Sequence, residues 1–161
     1  MNQEERRKFV ADHRTAVFGF NRKNNGPAMS IVYYVVDGDD LLVSTMAARG
    51  KAKAVARSPK VSLAILDEKW PPTYLLVYGN ARIETDIEAA TDLSVRIFGL
   101  MAESPMPEDV RPKIRQSAIE EQRVVLRVTP YGTFETPPRH VYSADDVDGL
   151  THWTSSVLPW S

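Results

Sequence analysis

The sequence predicts a mainly β fold: a small β-barrel, closed or split, with helices inserted between its strands. Three observations lead there. Six stretches rich in β-branched, aliphatic and aromatic residues recur along the chain. Asp37-Gly38 supplies a tight hairpin turn between two of them. The stretch at 28–36 is apolar on both faces, with Ile31, Tyr33 and Val35 alternating with Val32, Tyr34 and Val36. A strand with one wet face would alternate with polar residues. One side of this strand is therefore expected to face a barrel interior and the other to lie under a helix or a second subunit.

Each element has its own signal. Asn2-x-x-Glu5 is a capping-box pattern and opens a helix expected to run to about Asp12. Residues 15–20 read as a strand, Asn24-Asn25-Gly26 as a turn, 28–36 as the second strand and 41–45 as the third. The alanine-rich run at 52–57 reads as a helix stopped by Ser58-Pro59. Strands follow at 61–66 and 73–84, with Gly79 marking a bend or bulge in the second. Asp86 caps a helix with apolar spacing at Ala90, Leu93, Ile97, Phe98 and Met101. Ser104-Pro105-Met106-Pro107 breaks it, a further helix is expected at 108–118, and a last strand at 122–129. The tail from about 137 is rich in Pro, Asp and Trp and reads as a loop extension wrapping a surface.

Composition narrows the function. A chain of 161 residues, 43% apolar and 25% charged, suits a single domain spanning 1–161. A formal net charge of −1 gives no global attraction to nucleic acid or anionic membrane, so any basic patch acts locally. The absence of cysteine removes disulfides, thiolate nucleophiles and cysteine metal sites. His13, His140 and His152 are scattered without metal-ligand spacing, so no metal site is expected. The first eight residues lack the apolar core of a signal peptide, and no run approaches the length of a membrane span. A cytoplasmic protein is expected.

The unusual stretch is Ser44-Thr45-Met46-Ala47-Ala48-Arg49-Gly50-Lys51-Ala52-Lys53. An apolar strand ends in two hydroxyls, and three cations then fall within five positions at the start of a helix. The first helical turn already carries partial positive charge and unpaired N–H groups, so cations there are locally unfavourable. They make sense if an anion sits on the turn, where N–H groups and charge-assisted hydrogen bonds both favour a phosphate. Helical spacing puts Ala52, Val55 and Ala56 on the buried stripe and Arg49, Lys53 and Arg57 on a solvated side. Lys51 borders the apolar stripe and is expected to point along the strand end. A plain solvated basic face is the competing reading.

Other constellations carry less. Trp70-Pro71-Pro72-Thr73-Tyr74 can form a stiff wall for an aromatic ring, or simply a core or interface cluster. Tyr33, Tyr34 and Tyr78 read as core or interface side chains. Asp37-Gly38-Asp39-Asp40 and Asp145-Asp146-Val147-Asp148-Gly149 lack the spacing of a calcium loop and read as turns. His140 and His152 come with no nucleophile motif, and no dinucleotide, P-loop or zinc-protease signature is present.

With Ser44-Thr45-x4-Gly50-Lys51-Ala52 followed by Ser58-Pro59-Lys60-Val61-Ser62-Leu63, the chain resembles the pyridoxamine 5′-phosphate oxidase-like family. Arg49-x-Lys51, the stretch Ser30 to Asp39, and Leu76-Val77-Tyr78-Gly79-Asn80-Ala81 after Trp70-Pro71-Pro72 resemble its actinobacterial branch, which binds the deazaflavin coenzyme F-420. Gly50 stands where the oxidases carry Arg, and Tyr74 about where they carry a glutamine that reaches the flavin across the dimer. The resemblance implies a flavin-binding split barrel and a homodimer with cofactor at the subunit interface. It implies a cofactor site of Ser44, Thr45, Arg49, Gly50, Lys51, Lys53, Trp70 and Tyr74, with the ring and substrate near Ser30 or Val32. The activity expected is hydride transfer from reduced F-420 to a small organic substrate, with no catalytic side chain assigned. An FMN-dependent oxidoreductase and a non-catalytic flavin or deazaflavin carrier are the alternatives.

Overall fold

A computed structural model describes residues 1–69, 73–135 and 156–161. The order of elements is α1 (Gln3–Asp12), β1 (Thr15–Asn21), β2 (Pro27–Tyr33), β3 (Val35–Asp37), β4 (Asp40–Met46), α2 (Gly50–Arg57), β5 (Lys60–Asp67), β6 (Thr73–Glu84), α3 (Ile87–Ala102), a single 3-10 turn (Glu108–Val110), α4 (Arg111–Glu120), β7 (Arg123–Phe134) and β8 (Leu158–Pro159). The expected boundaries hold closely for the first helix and most strands. The capping box forms in full: Glu5 N–H donates to Asn2 Oδ1 at 2.9 Å and Asn2 N–H to Glu5 Oε2 at 2.7 Å.

The strands form one antiparallel sheet in the order β2-β1-β5-β6-β7-β4-β3, with β8 added beside β7. Because β2 and β3 are consecutive in the chain yet lie at opposite ends of this order, the sheet must curl until its ends meet. The result is a split barrel. Its interior is filled by the inward residues of each strand, including Phe18, Leu41, Val43, Leu63, Ile65, Leu75, Val77 and Leu126. A second, smaller cluster of Val35, Leu42, Ala90, Leu93 and Val125 packs α3 against the outside of β3, β4 and β7.

Three differences from the sequence reading have physical causes. The expected strand at 28–36 is two strands, split at Tyr34. The Tyr34 N–H leaves the ladder to donate to Arg14 O at 3.0 Å, and its hydroxyl donates to Val10 O at 2.6 Å inside the core. Val35 then faces α3 as anticipated for a doubly covered strand, whereas Ile31 is 79% exposed and Met29 72% exposed. The last strand runs to Phe134, five residues beyond the expected 129. Pro130 lacks an N–H, but it sits at the register shift beside Gly79 and costs no regular ladder bond. Gly79 is required there: a Cβ would lie 2.4 Å from Val128 Cγ1. The tail is more than loop. Leu158–Pro159 pairs with Gly132–Thr133, and Trp160 is buried in the barrel core at 6% exposure. Trp70, His140, His152 and the acidic run at 145–148 lie outside the described residues.

Among the described residues no helix is long and apolar enough to cross a membrane.

Candidate functional site

Strand β4 delivers two consecutive hydroxyls to opposite sides of the sheet. Thr45 shares its face with Val43 and Leu41, points to the barrel side and is 5% exposed. Ser44 shares its face with Leu42, which packs beneath α3, and is half-buried. After Met46 the chain turns at once. Ala47 N–H donates to Gln122 O at 2.9 Å, Arg49 N–H donates to Met46 O at 3.0 Å, and Arg49 is the N-cap of α2. Its side chain makes no capping bond, and the first turn of α2 contains no acid. The helix end is thus left without the anionic or polar partner that helix N-termini favour.

Beside this turn lies a cleft of about 300 Å³. Ile31 and Val32 of β2 form one apolar wall, and Ile97, Phe98 and Met101 of α3 the other. Ser44, Ser94, Lys51 and Arg123 supply polar groups, and among the described residues no carboxylate lines it. Lys51 lines it. Burial, with a smaller push from the Arg49 charge, lowers the Lys51 pKa below the ordinary lysine value. A cation held in that way is stabilised by an incoming anion. Apolar walls on either side of a cationic floor suit a flat ring that carries phosphate.

The remaining sequence candidates fall into three groups. Arg49, Gly50 and Lys53 stand on the solvent side of the same turn. Arg57, the next cation on that side, donates to Lys53 O at 2.8 Å and Asn21 O at 3.3 Å, so it caps the end of its own helix. Ala56, expected on the buried stripe, is exposed; Ala54 is buried instead, because β1 and β6 both pack on α2 and shift its covered face. Val32 lines the cleft, whereas Ser30 does not and has its hydroxyl buried without a hydrogen-bond partner. Tyr74 pairs with Leu66 at the far end of β6. The cleft end of that strand is Glu84, paired with Val125 beside Arg123, roughly 30 Å of extended strand away.

Among the tyrosines, Tyr33 lines the cleft, Tyr34 is a core residue whose burial raises its pKa, and Tyr78 stacks on Tyr131 at 6.3 Å between ring centroids. The acids of the 37–40 hairpin are engaged by arginine. Arg127 Nη1 donates to Asp37 at 2.8 Å and Asp40 at 3.3 Å, and its Nε to Glu84 at 2.8 Å.

Sequence reasoning missed Arg123. It opens a strand 77 positions after Met46, and only the pairing of β4 with β7 sets it opposite that residue and beside Ser44. Its one visible signal was its place on the same strand face as Arg127, two cations on a face otherwise carrying Val125.

Comparison with solved structures places the fold among known ones. A conserved hypothetical protein of Mycobacterium tuberculosis, Rv2991, superposes with a TM-score of 0.73 at 21% identity, covering 90% of this chain and 94% of that one. A structure described as an F420 reductase superposes with a TM-score of 0.57 at 21% identity, over 74% of this chain and 88% of that one. A heme binding protein from Mycobacterium smegmatis gives a TM-score of 0.64 at 13% identity, over 98% of this chain and 57% of that one. At these identities the likeness concerns the fold. No curated protein matches the chain. The family model described as pyridoxamine 5′-phosphate oxidase matches residues 3–136, and the chain belongs to that family.

Proposed function

We propose that the protein is a reductase that uses reduced coenzyme F-420 and works as a homodimer in the cytoplasm. The observation that carries this reading is the cleft itself: Lys51 is half-buried between apolar walls, with no carboxylate among the described residues that line it. Such a site favours an anion attached to a flat, poorly hydrated group. Lys51, Arg49 and the Gly50 N–H would hold the phosphate, and Ser44 would bond the polyol chain. Val32, Ile31 and Phe98 would flank the ring and exclude water. Lys53, on the solvent side of the turn, would meet the acidic tail that distinguishes F-420 from FMN. When bound, reduced F-420 supplies the hydride for an activated C=C or C=N bond, and the chain's residues position and shield it.

Two features of the sheet support the dimer. Met29 and Ile31 of β2, both exposed, share an outward apolar face with the half-buried Val17, Ala64 and Leu76. Tyr74 lies on that face at the end remote from the basic turn. A second copy packed antiparallel across it would bring its own Tyr74 toward the first chain's cleft.

Titration of the purified protein with F-420 and, separately, FMN, followed by tryptophan fluorescence, tests the cofactor. Tighter F-420 binding supports the reductase. Tighter FMN binding moves the protein to flavin chemistry, and binding without turnover of any enone or imine makes it a carrier. Binding of neither sinks the site. Sedimentation as a monomer at micromolar concentration would sink the dimer.

A further inference from the structure

We propose that Arg123 is a second anion-binding arm of the cleft, set opposite Lys51 and aimed by Glu121, and that it determines preference for a phosphate-bearing ligand. This rests on the reading of the cleft as a cofactor site.

Among the described residues the guanidinium of Arg123 meets a single carboxylate. Its Nε donates to Glu121 Oε2 at 2.6 Å, and Glu121 is not part of the cleft lining. Its Nη1 donates to Ser44 Oγ at 3.2 Å, the long end of the hydrogen-bond range, and Ser44 does line the cleft. The planar fork is therefore held from outside, with its outer edge turned toward Ser44 and the space beyond it. Guanidinium recognises phosphate by presenting two parallel N–H donors, and a plane already fixed loses little freedom on binding. An incoming phosphate oxygen is a stronger acceptor than a neutral hydroxyl. It would take the Nη1 hydrogen bond and leave Ser44 to donate to the same ligand.

The local backbone supports a fixed position. Gln122, between the anchor and the arm, has a left-handed backbone with φ of 50°, and its carbonyl accepts from Ala47 N–H in the basic turn at 2.9 Å. The turn that carries Lys51 and the strand end that carries Arg123 are thereby tied together. Lys51 reaches the cleft from α2 and Arg123 from β7, so one anion between them is met from two sides.

The proposal separates the phosphate from the ring. FMN and riboflavin share a ring and ribityl chain and differ in the phosphate alone, whereas F-420 and its phosphate-free ribityl deazaflavin differ in the phosphate and the acidic tail beyond it. Dissociation constants for both pairs would be measured by fluorescence for the wild type, Arg123→Met, Arg123→Lys, Glu121→Gln, Glu121→Ala and Lys51→Met. Far-UV circular dichroism confirms that each variant is folded. Arg123→Met is expected to weaken the phosphate-bearing member of the preferred pair about tenfold to a hundredfold. The phosphate-free member should stay within about twofold, because its contacts are untouched. Arg123→Lys should recover only part of the loss, since it keeps the charge without the fork. Glu121→Ala should lose part of the phosphate preference and Glu121→Gln should retain it, a pattern that general loosening of the fold would not give. If Arg123→Met keeps the full phosphate preference while Lys51→Met loses it, the Arg123 proposal is overturned and the cofactor reading stands. If the wild type binds neither pair, the cofactor reading falls and the proposal falls with it.

Discussion

Arg123 and Arg127 lie on the same face of β7, four residues apart, and their surroundings are opposite. Arg127 is surrounded by carboxylates from three other strands: Asp37 of β3, Asp40 of β4 and Glu84 of β6. Hydrogen bonding to Asp37, then to Glu84, raises its pKa, and the Arg127 hydrogen bond in turn lowers that of Asp37. Arg96 of α3 adds a second cation at 3.6 Å from Asp37. Among the described residues Arg123 meets one acid, from the loop just before it, and beyond its Nη edge lies a cleft lined by Lys51 and by no carboxylate. The same side chain therefore does two different things on one strand. Where acids converge, the arginine cross-links strands. Where they are missing and a second cation is half-buried nearby, the charge is left for something that binds.

The largest expected effect inverts the basic end. Lys51→Glu places a carboxylate where the phosphate is expected and should weaken F-420 or FMN binding by more than about a hundredfold. Sedimentation should show an unchanged assembly, and unchanged affinity would remove Lys51 from the site.

Arg127→Met should give the mirror result. It leaves Asp37, Asp40 and Glu84 close together without their shared cation. Because solvent reaches Asp37, the loss should be about 1–3 kcal/mol, less than for a fully buried pair. Urea denaturation would measure it, with ligand affinity within about twofold of wild type. If Arg127→Met spared stability and damaged binding, the contrast between the two arginines would be wrong.

The two ends also differ in pH response. Asp37 has a folded-state pKa below its unfolded value. Its contribution is present at neutral pH and lost as pH falls through that lowered value, so acid should destabilise the wild type more than Arg127→Met. Lys51 behaves oppositely. Its pKa in the ligand-free protein is lowered, and a bound phosphate would raise it. Affinity should therefore hold near neutrality and fall as pH rises through the lowered Lys51 value. A Lys51→Arg variant, which stays charged, should flatten that alkaline decline in a fluorescence titration.

The smallest effect belongs to the solvent side of the turn. Lys53→Ala should weaken F-420 by about two- to fivefold through loss of one exposed charge, diminishing with salt, and leave FMN unchanged. An equal loss for both ligands would mean that Lys53 does not meet the acidic tail.

Local signals were legible wherever chemistry acts over a few residues. The Asn2 and Glu5 capping box, the Asp37-Gly38 turn, the bulge at Gly79 and the basic start of α2 all depend on near neighbours, and all are where the sequence puts them. The alternation of Val43 and Thr45 with Leu42 and Ser44 was equally visible, but not which face would be the barrel interior. That choice separated Ser44, in the cleft, from Thr45, behind the strand. Tyr34 broke a strand that looked continuous because its phenol found a partner, Val10 O, in a helix 24 positions earlier.

The sequence by itself determined most of the elements and their order, the absence of cysteine and the position of the basic turn. These follow from periodicity, capping and residue type, which are properties of short segments. The tertiary structure alone decided which charges meet acids and which meet a cleft. Arg123 reaches Ser44 across 79 positions and Arg127 reaches Asp37 across 90, both through the pairing of strands distant in the chain. Sequence spacing carries no record of such register. It is set when the curled sheet closes and every inward side chain must find the same core.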